Sequence, residues 1–177
     1  SPGDFIHTDV VGTAVLLDAA RNAGVRRFVQ VSTYEVYGSI LTGTFHETDP
    51  IQPSSPYSAS KAGGDLQVLA WHRTFGIDAI ITCGSNTYGP RQYPEKLIPL
   101  FVTNALDGEE LPVYGDGQQI RDWIYVEDHC SGIWTAMEHG VAGEVYNVGG
   151  GNEVANLDIT HRILELTGRD PSLIRHV

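Results

Sequence analysis

No Gly-x-Gly-x-x-Gly or Gly-x-x-Gly-x-x-Gly stretch stands between a strand and a helix anywhere in the 177 residues. The glycine-rich turn that cradles a dinucleotide's pyrophosphate is therefore absent from this sequence. The Gly149-Gly150-Gly151 run lacks the spacing and is expected to be a turn. Positive charge is scarce too, with 11 Lys and Arg against 22 Asp and Glu and a formal net charge of −11. Such a chain repels nucleic acid and anionic membrane, so any phosphate it binds must be held by a few placed cations. There are only two cysteines, Cys83 and Cys130, without metal-ligand spacing. They are expected to be buried, reduced thiols of a cytoplasmic protein. His7, His46, His72, His129 and His139 share no spacing that suggests a metal. No repeat, low-complexity tract or apolar run of about 20 residues occurs, so no membrane partner is expected.

What is present centres on Phe28 to Lys61. An apolar run, Phe28 to Val31, opens into Ser32-Thr33-Tyr34-Glu35, and a loop later comes Tyr57-Ser58-Ala59-Ser60-Lys61. Positions four apart on a helix share a face. The Lys61 ammonium can then sit near the Tyr57 phenol and lower a pKa that is otherwise about 10. Ser54, Ser55 and Pro56 are helix-start signals that put Tyr57 in the first turn. A Tyr and a Lys at this spacing are common on helix surfaces. The Ser-Thr pair ending a hydrophobic strand changes the reading, because strand ends of open parallel sheets are where ligands bind. Glu35, two residues past Thr33, is expected to point the same way on an extended segment.

The rest of the chain reads as alternating helices and strands. Helices are expected over 5–23, 57–75, 96–106, 127–139 and 156–167, and strands over 28–31, 77–82, 111–114, 120–125 and 144–148. The polar stretch Gly38 to Pro53 is a loop beside the site. With 41% hydrophobic residues, this is enough core for an α/β protein with a parallel sheet and helices on its faces. A soft boundary falls near Ser85, giving parts 1–84 and 85–177.

Val31 to Gly38 followed by Pro53 to Lys61 resembles the extended short-chain dehydrogenase/reductase superfamily. Two further stretches, Ser85-Asn86-Thr87-Tyr88-Gly89-Pro90 running into Pro94-Glu95-Lys96-Leu97-Ile98-Pro99, and Gln119 to His129, are similar to its dTDP-glucose 4,6-dehydratase family. The resemblance covers nearly the whole chain. It implies a Rossmann-like sheet, incomplete here, with the catalytic residues in 1–84 and a smaller α/β part in 85–177 that grips the nucleotide-sugar. Members of that family are considerably longer, so the stretch is expected to be a fragment that alone holds NAD weakly and is inactive.

The resemblance also implies a chemistry. Tyr57 takes the C4 hydroxyl proton of dTDP-glucose as NAD takes hydride, with Thr33 bonding the C4 oxygen. The resulting ketone makes the C5 proton acidic, Glu35 removes it, water leaves C6, and hydride returns to C6. Ser32, Tyr57, Lys61 and Thr87 would contact NAD. Thr33, Glu35, Asn86, Lys96, Leu97, Pro112, Val113, Tyr114, Arg121 and Asn156 would contact the substrate, Arg121 as a diphosphate clamp and Tyr114 by stacking on the base. Singly these have plainer readings: Asn86 could cap Tyr88-Gly89, and Arg121 could pair with Asp122 or Asp128. A homodimer is implied, with Leu66, Leu69 and Ala70 on the pairing face.

Two residues depart from the family's pattern. Tyr34 stands where its members carry the Asp that protonates the departing C6 hydroxyl, and a phenol is a weaker acid by roughly six pKa units. Redox at C4 needs only Thr33, Tyr57 and Lys61, so an epimerase, decarboxylase or ketoreductase of the superfamily remains an alternative. So does a non-catalytic sugar-nucleotide-binding module. Asp9 replaces a frequent Asn, without a clear consequence.

Overall fold

The computed structural model describes residues 1–40 and 42–177. In chain order the elements are α1 (Pro2–Phe5), a π-helical turn (Ile6–Val11), α2 (Gly12–Asn22), β1 (Phe28–Thr33), a 3-10 turn (Tyr34–Tyr37), α3 (Pro56–Phe75), β2 (Ala79–Gly84) and β3 (Asn86–Tyr88). Then follow α4 (Leu97–Asp107), β4 (Leu111–Val113), β5 (Ile120–Tyr125), α5 (Val126–His139), β6 (Val145–Val148), β7 (Glu153–Ala155), α6 (Asn156–Thr167), a second 3-10 turn (Pro171–Leu173) and β8 (Ile174–His176). The chain packs as two compact units, Ser1–Gly84 with His129–Val148, and Ser85–Asp128 with Gly149–Val177.

The first unit is built on a parallel sheet in the order β1-β2-β6. Phe28 pairs with Ala79 and Thr33 with Gly84, so both strands finish at the same level. All six residues of β2 are buried, as expected of a strand covered on both faces. Leu17, Val36, Val68, Ala79 and Ile81 form the core beneath, each large aliphatic contributing about 1.5–3 kcal/mol by leaving water. α3 begins with a reciprocal cap: the Ser55 hydroxyl accepts from the Ser58 amide and the Ser58 hydroxyl from the Ser55 amide, each at 3.1 Å. It lies close on the π-helical turn, because a Cβ at Gly64 would stand 2.7 Å from the Asp9 carbonyl.

The second unit holds two small sheets. In one, β3 runs parallel to β5, and β5 antiparallel to β7; in the other, β4 runs parallel to β8. Phe101, Ala105, Leu111, Val113, Ile163 and Leu164 form its core.

Several expectations need correction. The strand expected over 77–82 runs Ala79–Gly84, and β3, β7 and β8, three residues each, are too short to show alternation. The first helix reads through but changes hydrogen-bond pattern at Ile6–Val11. Cys83 is buried as expected, whereas Cys130 is exposed. The loop over 38–53 has no helix or strand at its described residues, Leu41 lying outside them. Gly149–Gly151 links β6 to β7. No helix among the described residues is long and apolar enough to cross a membrane.

Candidate active site

β1 carries Ser32 and Thr33 to the carboxyl end of the sheet, where the chain turns. Thr33 is extended, with φ −137° and ψ 146°, and its side chain accepts from the Glu35 amide at 3.3 Å. This cap starts the 3-10 turn Tyr34–Tyr37, so Glu35 does not follow Thr33 on an extended segment, and the expected parallel orientation is replaced by a turn. Gly38 ends the turn at φ 95°, a region that only glycine enters freely. A Cβ there would meet the Gln52 carbonyl oxygen at 2.4 Å, and the Gln52 amide donates to the Val36 carbonyl at 2.9 Å. The turn is thus closed by the far end of the loop.

Tyr57 sits in the first turn of α3, 38% exposed, with the Phe5 ring edge-on at 5.7 Å. Its phenol is pushed above the usual 10 by burial first, and then by the negative charges of Glu35 and Asp9. The expected lowering by Lys61 is not found. The Lys61 ammonium donates to the Val31 carbonyl at 2.9 Å, which directs it to the strand. The structure does bring Glu35 within electrostatic reach of Tyr57. Tyr34 lies partly buried with its ring against the first unit's core.

Ser32 is buried, and its hydroxyl donates to Asp65 at 2.5 Å, which turns it into the core. Asp9 accepts from the Ser60 hydroxyl at 2.6 Å. This bond ties the π-helical turn to α3, and an Asn oxygen at position 9 would accept it as well. Neither bond was legible in advance. The signal for Asp65 was its place four residues after Lys61, continuing the stripe that Tyr57 begins.

In the second unit, Asn86 and Thr87 are on β3, opposite Trp123 and Ile124 of β5. Thr87 donates to the Ser85 carbonyl at 3.3 Å. Lys96 precedes α4 and pairs with Glu95 at 3.3 Å on the surface. Leu97 packs against the unit's core and Val113 lies within it, so of the Pro112-Val113-Tyr114 run the half-buried Pro112 and the 77% exposed Tyr114 present outward side chains. Arg121 is exposed, bonds the Ile120 carbonyl at 2.9 Å, and makes no ion pair among the described residues. Its suggested partner Asp122 instead accepts from the Gly150 and Asn152 amides at 2.8 and 2.7 Å. Asn156 opens α6 with its buried side-chain oxygen lacking a hydrogen-bond partner. Among the described residues no group of three or more His, Cys, Asp or Glu is placed to hold a metal.

The parallel sheet β1-β2-β6 with helices packed on it is the fold of the Rossmann-type dehydratases and epimerases. The chain belongs to the GDP-mannose 4,6 dehydratase family, whose sequence model matches residues 1–173. It is 56% identical over 175 residues to a dTDP-glucose 4,6-dehydratase of an Actinoplanes species, covering 99% of this chain and 55% of that one. A dTDP-glucose 4,6-dehydratase from Streptomyces venezuelae, solved with NAD bound, superposes with a TM-score of 0.98 at 52% identity, covering all of this chain and 55% of that one. A UDP-glucuronic acid 4-epimerase from Bacillus cereus has a TM-score of 0.92 at 29% identity over 97% of this chain and 55% of that one. The chain spans about half the length of the curated relatives it matches.

Proposed function

We propose that these residues form the catalytic part, and much of the nucleotide-sugar site, of an NAD-dependent dTDP-glucose 4,6-dehydratase that makes dTDP-4-keto-6-deoxyglucose. The observation that carries this reading is the meeting of Tyr57, Lys61 and the Thr33–Glu35 turn around the end of β1, with Glu35 acting on the Tyr57 phenol.

The residues present fit one end of NAD. An ammonium and a phenol one helical turn apart beside a strand end suit a ribose hydroxyl and a nicotinamide, while no glycine turn for the pyrophosphate occurs in the sequence. Tyr57 and Lys61 would hold that end, with Thr87 as a further candidate; Ser32, whose hydroxyl is given to Asp65, would act through its backbone. When bound, NAD supplies a hydride acceptor for C4 of the sugar and a hydride donor for C6.

The protein's own groups do the proton work. Tyr57, acting as its phenolate after its own proton has passed to solvent, takes the C4 hydroxyl proton while Thr33 bonds the same oxygen. Glu35 removes the C5 proton, made acidic by the adjacent ketone. Tyr34 is the group at the position from which a proton reaches the leaving C6 hydroxyl. Arg121 clamps the diphosphate with paired donors, assisted by Asn86 and Lys96, and the Asn156 oxygen accepts from a substrate hydroxyl. Pro112 and Tyr114 cover the base, with Leu97 and Val113 backing them from the core.

We assign the surface of α2 and α3 to a second copy of the chain. The two helices pack side by side, and Val15, Leu16 and Leu66 are 55–62% exposed on them, with Val11 of the preceding π-helical turn 44% exposed; Ala70 is exposed too, whereas Leu69 belongs to the core side. A reduced cytoplasmic setting agrees with two unpaired thiols. The test is incubation of a protein of the relatives' length carrying these residues with dTDP-glucose and NAD. Growth of the alkaline absorbance of the 4-keto-6-deoxy product supports the reading, and C4 inversion without loss of water overturns it in favour of an epimerase.

A further inference from the structure

Tyr57, Lys61 and Asp65 stand four residues apart on α3 and share one stripe that runs from the rim of the sheet into the core. Tyr57 is 38% exposed and Asp65 only 3%. One Asp65 oxygen accepts the Ser32 hydroxyl at 2.5 Å, and the other has no hydrogen-bond partner. That length falls in the range of a hydroxyl bonded to an ionised carboxylate. A carboxylate this deep is costly unless compensated, and the fold gives it little. Lys61 on the same helix and Gln30 and Ser32 on β1 favour its charge, while Asp9 on the π-helical turn opposes it. Cys83 on β2 faces it as well, a thiol that burial, with the Asp65 charge behind it, pushes up to about 12. Burial wins at Asp65, whose carboxyl is pushed up to about 6.

We infer that Asp65 is a positioning residue of the active site: it fixes Ser32 at the end of β1 and supplies the counter-charge against which Lys61 is held at the neighbouring Val31 carbonyl. The inference deepens the dehydratase reading and rests on it. Ser32 lies between Val31, which receives Lys61, and Thr33, which caps the turn bearing Glu35. One buried charge therefore sets both halves of the site. Such a group is kept at a cost in stability. Its pKa is raised above the ordinary 3.8, so the folded protein binds the proton more tightly than the unfolded chain. The stability attached to it is fully present below about pH 4 and is lost as pH rises through 6.

The experiment compares Asp65→Asn with wild type in the longer protein, by steady-state kinetics on dTDP-glucose from pH 5 to 8 and by melting temperature from pH 3.5 to 7.5. The expected result is a kcat about ten- to a hundred-fold lower at pH 7.5 with little change in KM. The wild type's rise of kcat through pH 6 is lost in the variant. Its melting temperature is a few degrees higher at pH 7.5, a gain that vanishes below about pH 4. Ser32→Ala should lower kcat in the same direction. Wild-type kcat and pH profile in Asp65→Asn would overturn the inference, and so would a lower melting temperature with activity lost equally at every pH, the mark of a merely structural residue. If neither protein turns over dTDP-glucose, the dehydratase reading fails, while the melting comparison still decides for Asp65: a higher value at pH 7.5 supports a charge kept at a cost, and a lower one overturns it.

Discussion

Lys61 donates to the Val31 carbonyl at 2.9 Å across 30 residues of sequence, tying the start of α3 to the end of β1. This bond sets where Tyr57 stands relative to Thr33 and Glu35. Lys61→Ala removes both the tether and the cation. It should lower kcat about 10²- to 10⁴-fold, the range that a positioned proton-transfer group contributes. Steady-state kinetics on dTDP-glucose check this, and a loss confined to KM would show that Lys61 only binds.

Gly38 closes the turn that presents Glu35. At φ 95°, with the Gln52 carbonyl where a side chain would begin, Gly38→Ala meets a backbone atom that cannot rotate away. The substitution should cost about 2–4 kcal/mol of stability and appear as an early loss in urea or thermal unfolding. Gly43→Ala, also at positive φ but with its nearest atom, a flexible Ile40 methyl, at 3.8 Å, should cost clearly less. Equal losses would place the strain in the glycine conformation alone.

The Tyr34 ring packs against the first unit's core, and the proposed reaction also asks it to donate a proton, two demands that pull apart. Tyr34→Asp should speed release of water from C6, because a carboxyl is the stronger acid, while lowering stability by about 1–3 kcal/mol through lost packing. Single-turnover measurement of product formation separates the two effects. An unchanged elimination rate would show that another group donates the proton.

The sequence carried the residues of the site more fully than its electrostatics. Five helices and five strands were legible from periodicity, from the Ser55-Pro56 start of α3 and from the Gly76 that ends it. The short strands β3, β7 and β8 were not, because their existence depends on partners far along the chain, as Asn86 depends on Trp123 and Ala155 on Ile120. The Tyr57–Lys61 pair was found by spacing, but spacing does not say which acceptor a flexible ammonium chooses. Val31 takes it, and burial then decides the state of the phenol. Likewise the Thr33 cap converts an expected straight strand end into a turn, a local bond that alternation of side chains does not reveal. The bond that Asp9 accepts from Ser60 was hidden as the short strands were, since its partner lies 51 residues along the chain.

The central claim is that Tyr57, Lys61 and Glu35 serve one internal oxidation, elimination and reduction on a nucleotide-linked glucose. The most direct test follows deuterium from C4 of dTDP-glucose, by mass spectrometry and proton NMR of the product, in the longer protein supplied with NAD. The account predicts deuterium at C6 of a 4-keto-6-deoxy product, and none when Tyr57→Phe replaces the wild type. Deuterium returned to C4 with inversion there, and oxygen retained at C6, would contradict it.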